Sequence, residues 1–393
     1  MFCLRILFIS SQHPPYATSG LCTHVYNLTN ALADLGCDVH VVTYGPTNKN
    51  RRINGVHVHF LKGSKIPLGK EIVFSLSSTK KISKLCRDFG IDIVHGQSPA
   101  SFGYGLMRDH KLPYVVTLHG TSFGEIDALL KWPTFNLKSI KKMFFVQPFY
   151  SAITWIEYRQ ADKLIAVSQF IAQEATRFYH LPKEKIVVIG NGSDSLSLSP
   201  TKAKIHTSPE KQSAYTILSV GRLTARKGVA YLIKAMPQIL DEFPDTMLYI
   251  VGEGEQRVNL QNVARNLKIE NNVNFLGKVS SSMLFSLYSK ADVYVHPSLY
   301  EPFGITILEA MSMGIPVVVT RTGGSPEVIT HRKNGLLIHP GNSSQLASAV
   351  KEIFSNTSLS RDFAQQAMNT IKTGYTWEKI AQKTLKLYEN LLY

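Results

Sequence analysis

The stretch YEPFGITILEAMSMG, residues 300–314, decides the fold because it joins a buried strand to a buried helix through a sharp turn. The apolar segment ADVYVHP (residues 291–297) leads into it and is typical of a strand. Pro302 cannot continue a strand ladder, and Gly304 tolerates a close backbone turn. The run ITILEAM is apolar on almost every side, which predicts a buried helix that starts near Gly304.

Two carboxylates flank the start of this helix. Glu301 precedes it, and Glu309 lies within it as the only charged residue from Pro302 to Thr320. Burying a carboxylate is costly unless it has hydrogen-bond partners, so Glu309 belongs either to a structural network or to a functional site. The first amides of the helix lack partners within it, and the helix dipole attracts anions such as phosphate. The sequence therefore predicts an anion-binding helix start with two acids beside it.

The composition indicates a soluble protein with more than one domain. At 393 residues the chain is too long for one core, with 44% hydrophobic and 18% charged residues. No run approaches the roughly 20 apolar residues of a membrane span. The segment MFCLRILFISS favours a buried first strand over a signal peptide, because Arg5 interrupts its short apolar run. Four cysteines without a C-x-x-C pair predict reduced thiols and a cytoplasmic location.

A net charge of +15 favours anionic partners. Nucleic acid ranks last among them because the chain has no RNP, zinc-finger or helix-turn-helix signature. The stretch KWPTFNLKSIKKMFFVQPFY, residues 131–150, combines four lysines with six aromatic residues. Two interpretations of it remain open: an interfacial segment in peripheral contact with an anionic membrane, and a solvated basic segment whose aromatic rings turn into the core.

Short apolar strands alternate with helices along the chain, which predicts βαβ units and parallel sheets covered on both faces. A polar stretch in mid-chain separates two such series. We therefore expect an α/β fold of two Rossmann-like, doubly wound domains with a cleft between them. The predicted parts are an N-terminal domain (1–198), a linker (199–213), a C-terminal domain (214–375) and a final helix (376–393). In such sheets ligands bind beyond the carboxyl ends of the strands.

A basic loop, GRLTARKG, follows one strand end in the second series. Arg222 offers a planar fork and Lys227 a point charge, so the pair suits a pyrophosphate, at roughly 1.5–3 kcal/mol per charge-assisted hydrogen bond. The alternative is an ordinary solvated loop. The nearby VGEGE (251–255) resembles the beginning of a dinucleotide fingerprint, but Arg257 replaces its third glycine, which argues against a dehydrogenase.

Weaker candidates lie at strand ends in the first series. Gly20 lies in the first strand–helix loop, where a glycine lets the backbone approach a phosphate, although a plain turn explains it equally well. His119 ends the strand YVVTLHG, and a single histidine there is more often structural than catalytic. The same argument applies to His24 and His95, which are weaker candidates for the functional site than His119.

Taken together and in order, these motifs resemble the retaining glycosyltransferases of the GT-B fold, in particular family 4. The resemblance covers nearly the whole chain. Each motif is weak alone, whereas the ordered set is specific. Its members are the Gly20 loop with His24 beyond it, TLHGT (117–121), AVS (166–168), NGSD (191–194), GRL…RKG (221–228), VGEGE (251–255), EPFGITILE (301–309), TGGSPEVI (322–329), NGLLI (334–338) and the closing YTWEKIAQKTLKLY.

The resemblance implies roles for individual residues. Arg222 and Lys227 would bind the donor diphosphate, Glu301 the hydroxyls of the donor sugar, and Glu309 the ribose. His119 would lie near the sugar and the acceptor. The other implied donor contacts are mainly backbone groups, at Gly20, Glu253, Val279, Phe303, Gly304, Ile305 and Thr306. The closing helix would cross back onto the N-terminal domain. The family often has Gly-Gly in its first loop; here the pair is Ser19-Gly20, which predicts a stiffer loop.

The implied activity is transfer of a hexose-type sugar, with retention, from a nucleotide-diphosphate sugar to a hydroxyl acceptor. The acceptor would be a glycolipid, a polysaccharide precursor or a small polyol. We find no Asp-x-Asp pair in the sequence and expect neither a metal nor a cofactor besides the donor substrate. The predicted location is cytoplasmic, with a peripheral position at the membrane as an alternative. Two alternative functions on the same fold stay open. One is a UDP-sugar epimerase-like enzyme, and the other is a non-catalytic scaffold that binds a nucleotide sugar.

Overall fold

The computed structural model describes residues 4–62, 70–108, 111–131, 147–193 and 215–393. The predicted linker, and residues 132–146 of the basic aromatic stretch, lie outside these ranges. Contacts within the chain divide it into two compact units. Unit 1 contains Met1–Ile126, Phe135–Gly192 and Trp377–Tyr393, and unit 2 contains Asp127–Thr134 and Ser193–Thr376.

Unit 1 is built on one eight-stranded sheet. Its strands are β1 (Arg5–Ile9), β2 (Asp38–Gly45), β3 (Lys49–Ile53), β4 (Val56–Lys62), β5 (Ile93–Gln97), β6 (Tyr114–Leu118), β7 (Lys163–Ala166) and β8 (Ile186–Val188). They lie in the order β3-β4-β2-β1-β5-β6-β7-β8. All neighbours are parallel except β3, which runs antiparallel to β4 at the edge of the sheet. The sequence KNRRI of β3 is polar and almost wholly exposed, so it lacks the apolar run that marks the other strands.

The helices of unit 1 connect successive strands of its sheet. They are α1 (Gly20–Asp34), α2 (Lys70–Asp88), α3 (Phe102–Met107), α4 (Ser122–Lys131), α5 (Gln147–Gln160) and α6 (Gln169–Tyr179). Ser168 caps α6, because its Oγ accepts a hydrogen bond from the amide of Ile171 at 3.1 Å. The α2 helix begins at Lys70, in a serine-rich segment with little apolar periodicity.

Unit 2 contains a six-stranded, fully parallel sheet. Its strands are β9 (Tyr215–Val220), β10 (Thr246–Val251), β11 (Val273–Gly277), β12 (Val293–His296), β13 (Val317–Thr320) and β14 (Leu336–Ile338). Their order, β11-β10-β9-β12-β13-β14, is that of the doubly wound dinucleotide-binding fold. The order reverses between β9 and β12, and ligands of such sheets bind beyond the carboxyl ends of the strands at this point.

Helices cover both faces of this sheet. They are α7 (Val229–Leu240), α8 (Arg257–Asn266), α9 (Ser281–Lys290), α10 (Ile305–Ser312), α11 (Ser325–Val328), α12 (Ser343–Ser355) and α13 (Thr357–Gly374). The predicted buried helix is α10, whose residues 307–311 are all buried. Gly304 precedes it with φ of +97°, a backbone conformation that favours glycine.

The last helix, α14 (Trp377–Leu392), belongs to unit 1 by its contacts. Its buried face joins the core formed by β1, β2, β4 and α1, through Trp377, Ile380 and Tyr388. The free cysteines of the described segments are Cys22, Cys37 and Cys86. No helix within those segments is both long and apolar enough to span a membrane.

Candidate functional site

A network of buried polar groups lies where β9 and β12 end in unit 2. Oε2 of Glu301 is 2.5 Å from Nζ of Lys227 and 2.6 Å from Nε2 of His296. It also accepts a hydrogen bond from Ser298 Oγ at 3.2 Å. The Glu301 side chain is 7% exposed and that of Lys227 is 15% exposed. Three donors therefore converge on one carboxylate oxygen, whereas within the described segments no hydrogen bond reaches Oε1.

The charges around Glu301 keep it ionised. Burial by itself would raise the pKa of the Glu301 carboxyl, but Lys227 and then His296 outweigh burial and hold this pKa well below its usual value. Burial lowers the pKa of the Lys227 ammonium; Glu301 opposes the shift, and the positive charges of Arg226 and Arg222 add to it. Lys227 and Arg226 thus act on the buried carboxylate, and Arg222 acts on Lys227, so the site gathers cationic side chains of the kind that bind an anionic group.

The backbone holds this network in place. Gly228 separates Lys227 from α7 with φ of +63°, and a Cβ atom there would lie 2.0 Å from the carbonyl oxygen of Pro297. The amide of Leu299 donates to the carbonyl of Arg226 at 2.7 Å, which ties the loop after β12 to the loop after β9. A small pocket lies between these loops, and Arg222, Lys227, His296 and Ser298 are among its lining residues.

A second set of contacts joins β12 to the start of α10. The Tyr294 hydroxyl donates to Thr306 Oγ1 at 2.7 Å, and its oxygen lies 3.1 Å from Nδ1 of His296. These contacts connect the first turn of α10 to the Glu301 network. Phe303, Gly304, Ile305 and Thr306 form the segment in which the helix begins, and amides at a helix start have no partner within the helix. The structure thus brings this helix start and Glu301 together.

Glu309 lies inside α10 in an environment unlike that of Glu301. It is 8% exposed, and its Oε2 accepts a hydrogen bond from the Tyr288 hydroxyl of α9 at 2.9 Å. Burial raises the pKa of Glu309 to about 7, although the hydrogen bond from Tyr288 opposes the shift. No cation pairs with it among the residues that the structure describes. The lone charge noted in the sequence is therefore a buried carboxyl whose surroundings favour its protonated form.

The remaining candidates of unit 2 lie beside the ends of β10 and β11. Glu253 follows β10; its carbonyl accepts from the Leu223 amide at 2.9 Å, and its carboxylate pairs with Arg257 at 2.5 Å. Its side chain is 43% exposed, so this pair contributes little to stability. Val279 is half-buried in the turn between β11 and α9. The ends of β9, β10, β11 and β12 thus carry the unit 2 candidates outside α10.

In unit 1, Gly20 is the first residue of α1. The preceding Ser19 caps this helix by accepting a hydrogen bond from the Cys22 amide at 3.1 Å. Ser19 also contacts Oε1 of Gln12 through its hydroxyl. The departure from Gly-Gly in the first loop therefore has a structural consequence, since the serine fixes the start of α1.

His119 lies just beyond β6 within a group of three histidines. Its Nε2 is 2.6 Å from Oε1 of Gln97; because an amide oxygen only accepts, Nε2 donates and the neutral ring keeps Nδ1 as its acceptor. Burial, together with the nearby His24 and His95, holds the pKa of His119 well below its usual value. His119 is therefore neutral at physiological pH and is not a proton donor of the imidazolium type.

The two histidines that ranked lower in the sequence complete this group. His24 packs edge-on against His119 with ring centroids 4.7 Å apart, and its Nδ1 lies 2.6 Å from Oδ1 of Asn191. Its buried Nε2 has no hydrogen-bond partner in the described part of the chain. His95 is fully buried and bonds to Tyr388 of α14 and to Thr117. His95 is therefore a structural residue, whereas His24 and His119 lie together at the carboxyl-end edge of the sheet.

Sequence reasoning missed several residues of these networks. His296 and Ser298 contact Glu301, Tyr288 contacts Glu309, and Gln97 orients His119. His296 was detectable, because it ends the strand that leads into the decisive stretch. The others carry no local signal, since a serine, a tyrosine or a glutamine in such a position is ordinary.

Comparison with known proteins supports the class that the fold suggests. Residues 18–195 match the family Glycosyltransferase Family 4, and residues 200–370 match Glycosyl transferases group 1. The chain is 31% identical to an uncharacterized glycosyltransferase of Methanocaldococcus jannaschii over 98% of both chains. It is 28% identical to a glycogen synthase of Mycobacterium tuberculosis, over 98% of this chain and 94% of that one.

Solved structures share the architecture. Sucrose-phosphate synthase from Thermosynechococcus elongatus superimposes with a TM-score of 0.82 at 22% identity over 99% of both chains. HepE of Anabaena, solved in complex with UDP-glucose, gives a TM-score of 0.73 at 22% identity, over 98% of this chain and 100% of that one. The fold is thus the GT-B fold of two α/β domains with parallel sheets. The chain belongs to the family 4 (group 1) glycosyltransferases, and it is a transferase enzyme.

Proposed function

We propose that the protein transfers a hexose-type sugar from a nucleotide-diphosphate sugar to a hydroxyl acceptor, with retention at the anomeric carbon. The observation that supports this proposal most directly is the group of Arg222, Arg226 and Lys227 near the ionised Glu301, beside the start of α10. A diphosphate carries the negative charge that such a group of cationic side chains attracts. Among the structural relatives, HepE was solved with UDP-glucose and also with UDP and glucose, which supports a nucleotide-sugar donor.

In this proposal, Arg222 and Lys227 bind the diphosphate and stabilise it as the leaving group. The amides at the start of α10 add fixed dipoles aimed at the same charge. Glu301 holds the sugar hydroxyls through Oε1, since Oε2 is already occupied by Lys227, His296 and Ser298. Glu309 accepts hydrogen bonds from the ribose. His119 presents a neutral ring to the sugar or the acceptor.

The proposed chemistry takes place on one face of the sugar. The bond between the anomeric carbon and the phosphate oxygen breaks, and the acceptor oxygen forms the new bond from the same side. The departing phosphate oxygen takes the proton of the acceptor hydroxyl, so no separate general base is required. We propose that the donor site works without a metal, with Arg222 and Lys227 neutralising the charge, and that the acceptor is a glycolipid, a polysaccharide precursor or a polyol. A cytoplasmic location, including a peripheral one at an anionic membrane, belongs to the same proposal.

A thermal-shift panel followed by product analysis tests the donor part. UDP, GDP, ADP, UDP-glucose, UDP-GlcNAc and GDP-mannose are added to the wild type, to Arg222→Ala and to the exposed control Arg265→Ala. Ligand at 100 times its Kd stabilises the native state by about 2.7 kcal/mol. We expect one nucleotide class to raise the Tm of the wild type and the control, and to do so much less in Arg222→Ala. An equal shift in Arg222→Ala contradicts the assignment.

Product analysis then separates the alternatives. With the stabilising donor and a set of hydroxyl acceptors, NMR of the product should show the anomeric configuration of the donor. Inversion would refute the retaining mechanism. Interconversion of free UDP-sugars would favour the epimerase-like enzyme, and donor binding without transfer to any acceptor would favour the scaffold.

A further inference from the structure

Four polar side chains share one face of two neighbouring strands in unit 1. The segment D-V-H places Asp38 and His40 on the same face of β2, and H-V-H does the same for His57 and His59 on β4, because side chains alternate along a strand. The strands are parallel, and His40 lies opposite His57 in the register. The topology therefore gathers one carboxylate and three imidazoles in one place.

The distances within this group fit a small cation. Oδ1 of Asp38 lies 3.5 Å from Nε2 of His40 and 3.7 Å from Nε2 of His57. All three atoms lie within 4.8 Å of one another. Bonds of about 2.0–2.2 Å to nitrogen and oxygen place the ligands of a tetrahedral zinc ion roughly 3.4 Å apart. The two distances from Oδ1 of Asp38 are close to that spacing.

A chain of hydrogen bonds fixes the tautomer of His40. The side-chain amide oxygen Oδ1 of Asn50 only accepts, so His59 donates to it through Nδ1 at 3.2 Å. His59 Nε2 is then the acceptor for Nδ1–H of His40 at 3.0 Å. The Nε2 atom of a neutral His40 consequently carries a lone pair, and it faces the Asp38 carboxylate.

This arrangement leaves an unsatisfied group in the protein interior. His40 is 1% exposed, and its Nε2 has no hydrogen-bond partner in the described segments. Two acceptors face each other without a donor between them, which is costly for the buried His40, whereas the Asp38 side chain is 37% exposed. A metal ion satisfies both acceptors, and the His59 contact supplies the orienting hydrogen bond that metal-bound histidines usually have.

We propose that Asp38, His40 and His57 form a binding site for one divalent transition-metal ion of the zinc type. Imidazole and carboxylate ligands suit such ions, and three protein ligands leave a fourth position for water. The rings of His40 and His57 are stacked, with 14° between their planes, so His57 must turn to aim its nitrogen at the ion. Its side chain is 36% exposed, which leaves room for that rotation.

The position of the site indicates its role. Asp38 is the first residue of β2, so the site lies at the amino end of that strand, whereas His119 follows the carboxyl end of β6. The eight residues of β2 separate the two edges of the sheet by roughly 23 Å at about 3.3 Å per residue. The ion therefore joins β2 to β4 and stabilises unit 1. It takes no part in the proposed sugar transfer.

Metal titration of the untagged, EDTA-dialysed protein tests the site. Isothermal titration with ZnCl2 and the visible absorption of added CoCl2 are measured for the wild type, Asp38→Asn, His57→Gln and the exposed control His180→Asn. We expect one ion per chain and a four-coordinate Co2+ spectrum for the wild type and the control. Each ligand variant should lose at least tenfold in affinity.

Zinc should also raise the Tm of the wild type and the control but not that of the ligand variants. Asp38 and His57 are about one-third exposed, so their substitution should leave the fold intact, and either variant alone suffices for the comparison. The absence of saturable binding by the wild type, or wild-type affinity in a folded ligand variant, overturns the proposal. Neither result bears on donor binding, which the nucleotide panel measures separately.

Discussion

Replacing Glu309 by Gln should remove a pH-dependent loss of stability from unit 2. Burial raises the pKa of this carboxyl from 4.5 to about 7. The folded chain therefore holds the proton more tightly than the unfolded chain, and the associated stability is complete below about pH 4.5. It is lost as the pH rises through about 7. The shift corresponds to about 3 kcal/mol, of which about 2 kcal/mol disappears between roughly pH 5 and pH 7.5.

Scanning calorimetry at these two pH values measures the effect. For a domain of 150–250 residues, about 2 kcal/mol corresponds to a Tm change of roughly 4–8 °C. We expect the wild type to lose this much more on going from pH 5 to pH 7.5 than Glu309→Gln does. The exposed Glu270→Gln is the matched control and should follow the wild type. Subtracting the variant from the wild type cancels the contribution of the buried histidines, whose stability changes with pH in the opposite sense.

The reasoning is refuted if the wild type and Glu309→Gln respond to pH in parallel, because Glu309 would then ionise normally in the folded state. The same variant has a second expected phenotype. A glutamine keeps an oxygen for the Tyr288 hydroxyl but accepts less strongly from a ribose. We therefore expect Glu309→Gln to be at least as stable as the wild type at pH 7.5 and to bind the donor nucleotide more weakly.

Three further predictions concern single residues. Arg222→Ala should lower turnover by about 100-fold or more in a donor-release assay, by analogy with removal of a preorganised donor group, and near-wild-type turnover would contradict its role. Gly228→Ala should lose at least about 2 kcal/mol in chemical unfolding because its Cβ meets Pro297. Gly374→Ala, where a Cβ meets nothing, should not, and equal effects would refute the steric argument. His119→Ala should slow transfer by about tenfold, the value of one hydrogen bond, while the donor-induced Tm shift persists; loss of that shift would instead assign His119 to donor binding.

The predictable part of this protein is local in sequence. The alternation of apolar strands and helices gives the two parallel sheets, and the cap at Ser168 and the helix start after Gly304 follow from residue type and spacing. The burial of Glu309 follows from the wholly apolar surroundings of one acid. The edge strand β3 was not predicted from the sequence, because a polar, exposed strand has no hydrophobic periodicity.

The contacts that define the candidate site are not local. Lys227 and Glu301 are 74 positions apart, and only the pairing of β9 with β12 brings their loops together. Resemblance to a family named both residues as ligands of a donor, but it did not predict that they bond to each other. In the same way, the Asp38–His40–His57 group depends on the register between β2 and β4, which places His40 opposite His57. Sequence spacing shows the alternation within each strand and leaves the register undetermined.

The two acids around the start of α10 lie in opposite electrostatic environments. Glu301 and Glu309 are eight positions apart and both are buried. Burial nevertheless sets the direction of the pKa shift only for Glu309. Lys227 and His296 hold the pKa of Glu301 well below its usual value, whereas the uncharged Tyr288 leaves the pKa of Glu309 raised to about 7. A permanently charged acid can keep Lys227 in place before an anionic ligand arrives. An acid whose pKa is raised repels that anion less and still accepts a hydrogen bond. The opposite shifts therefore fit a single site in which one carboxylate positions a cation and the other contacts a neutral part of the ligand.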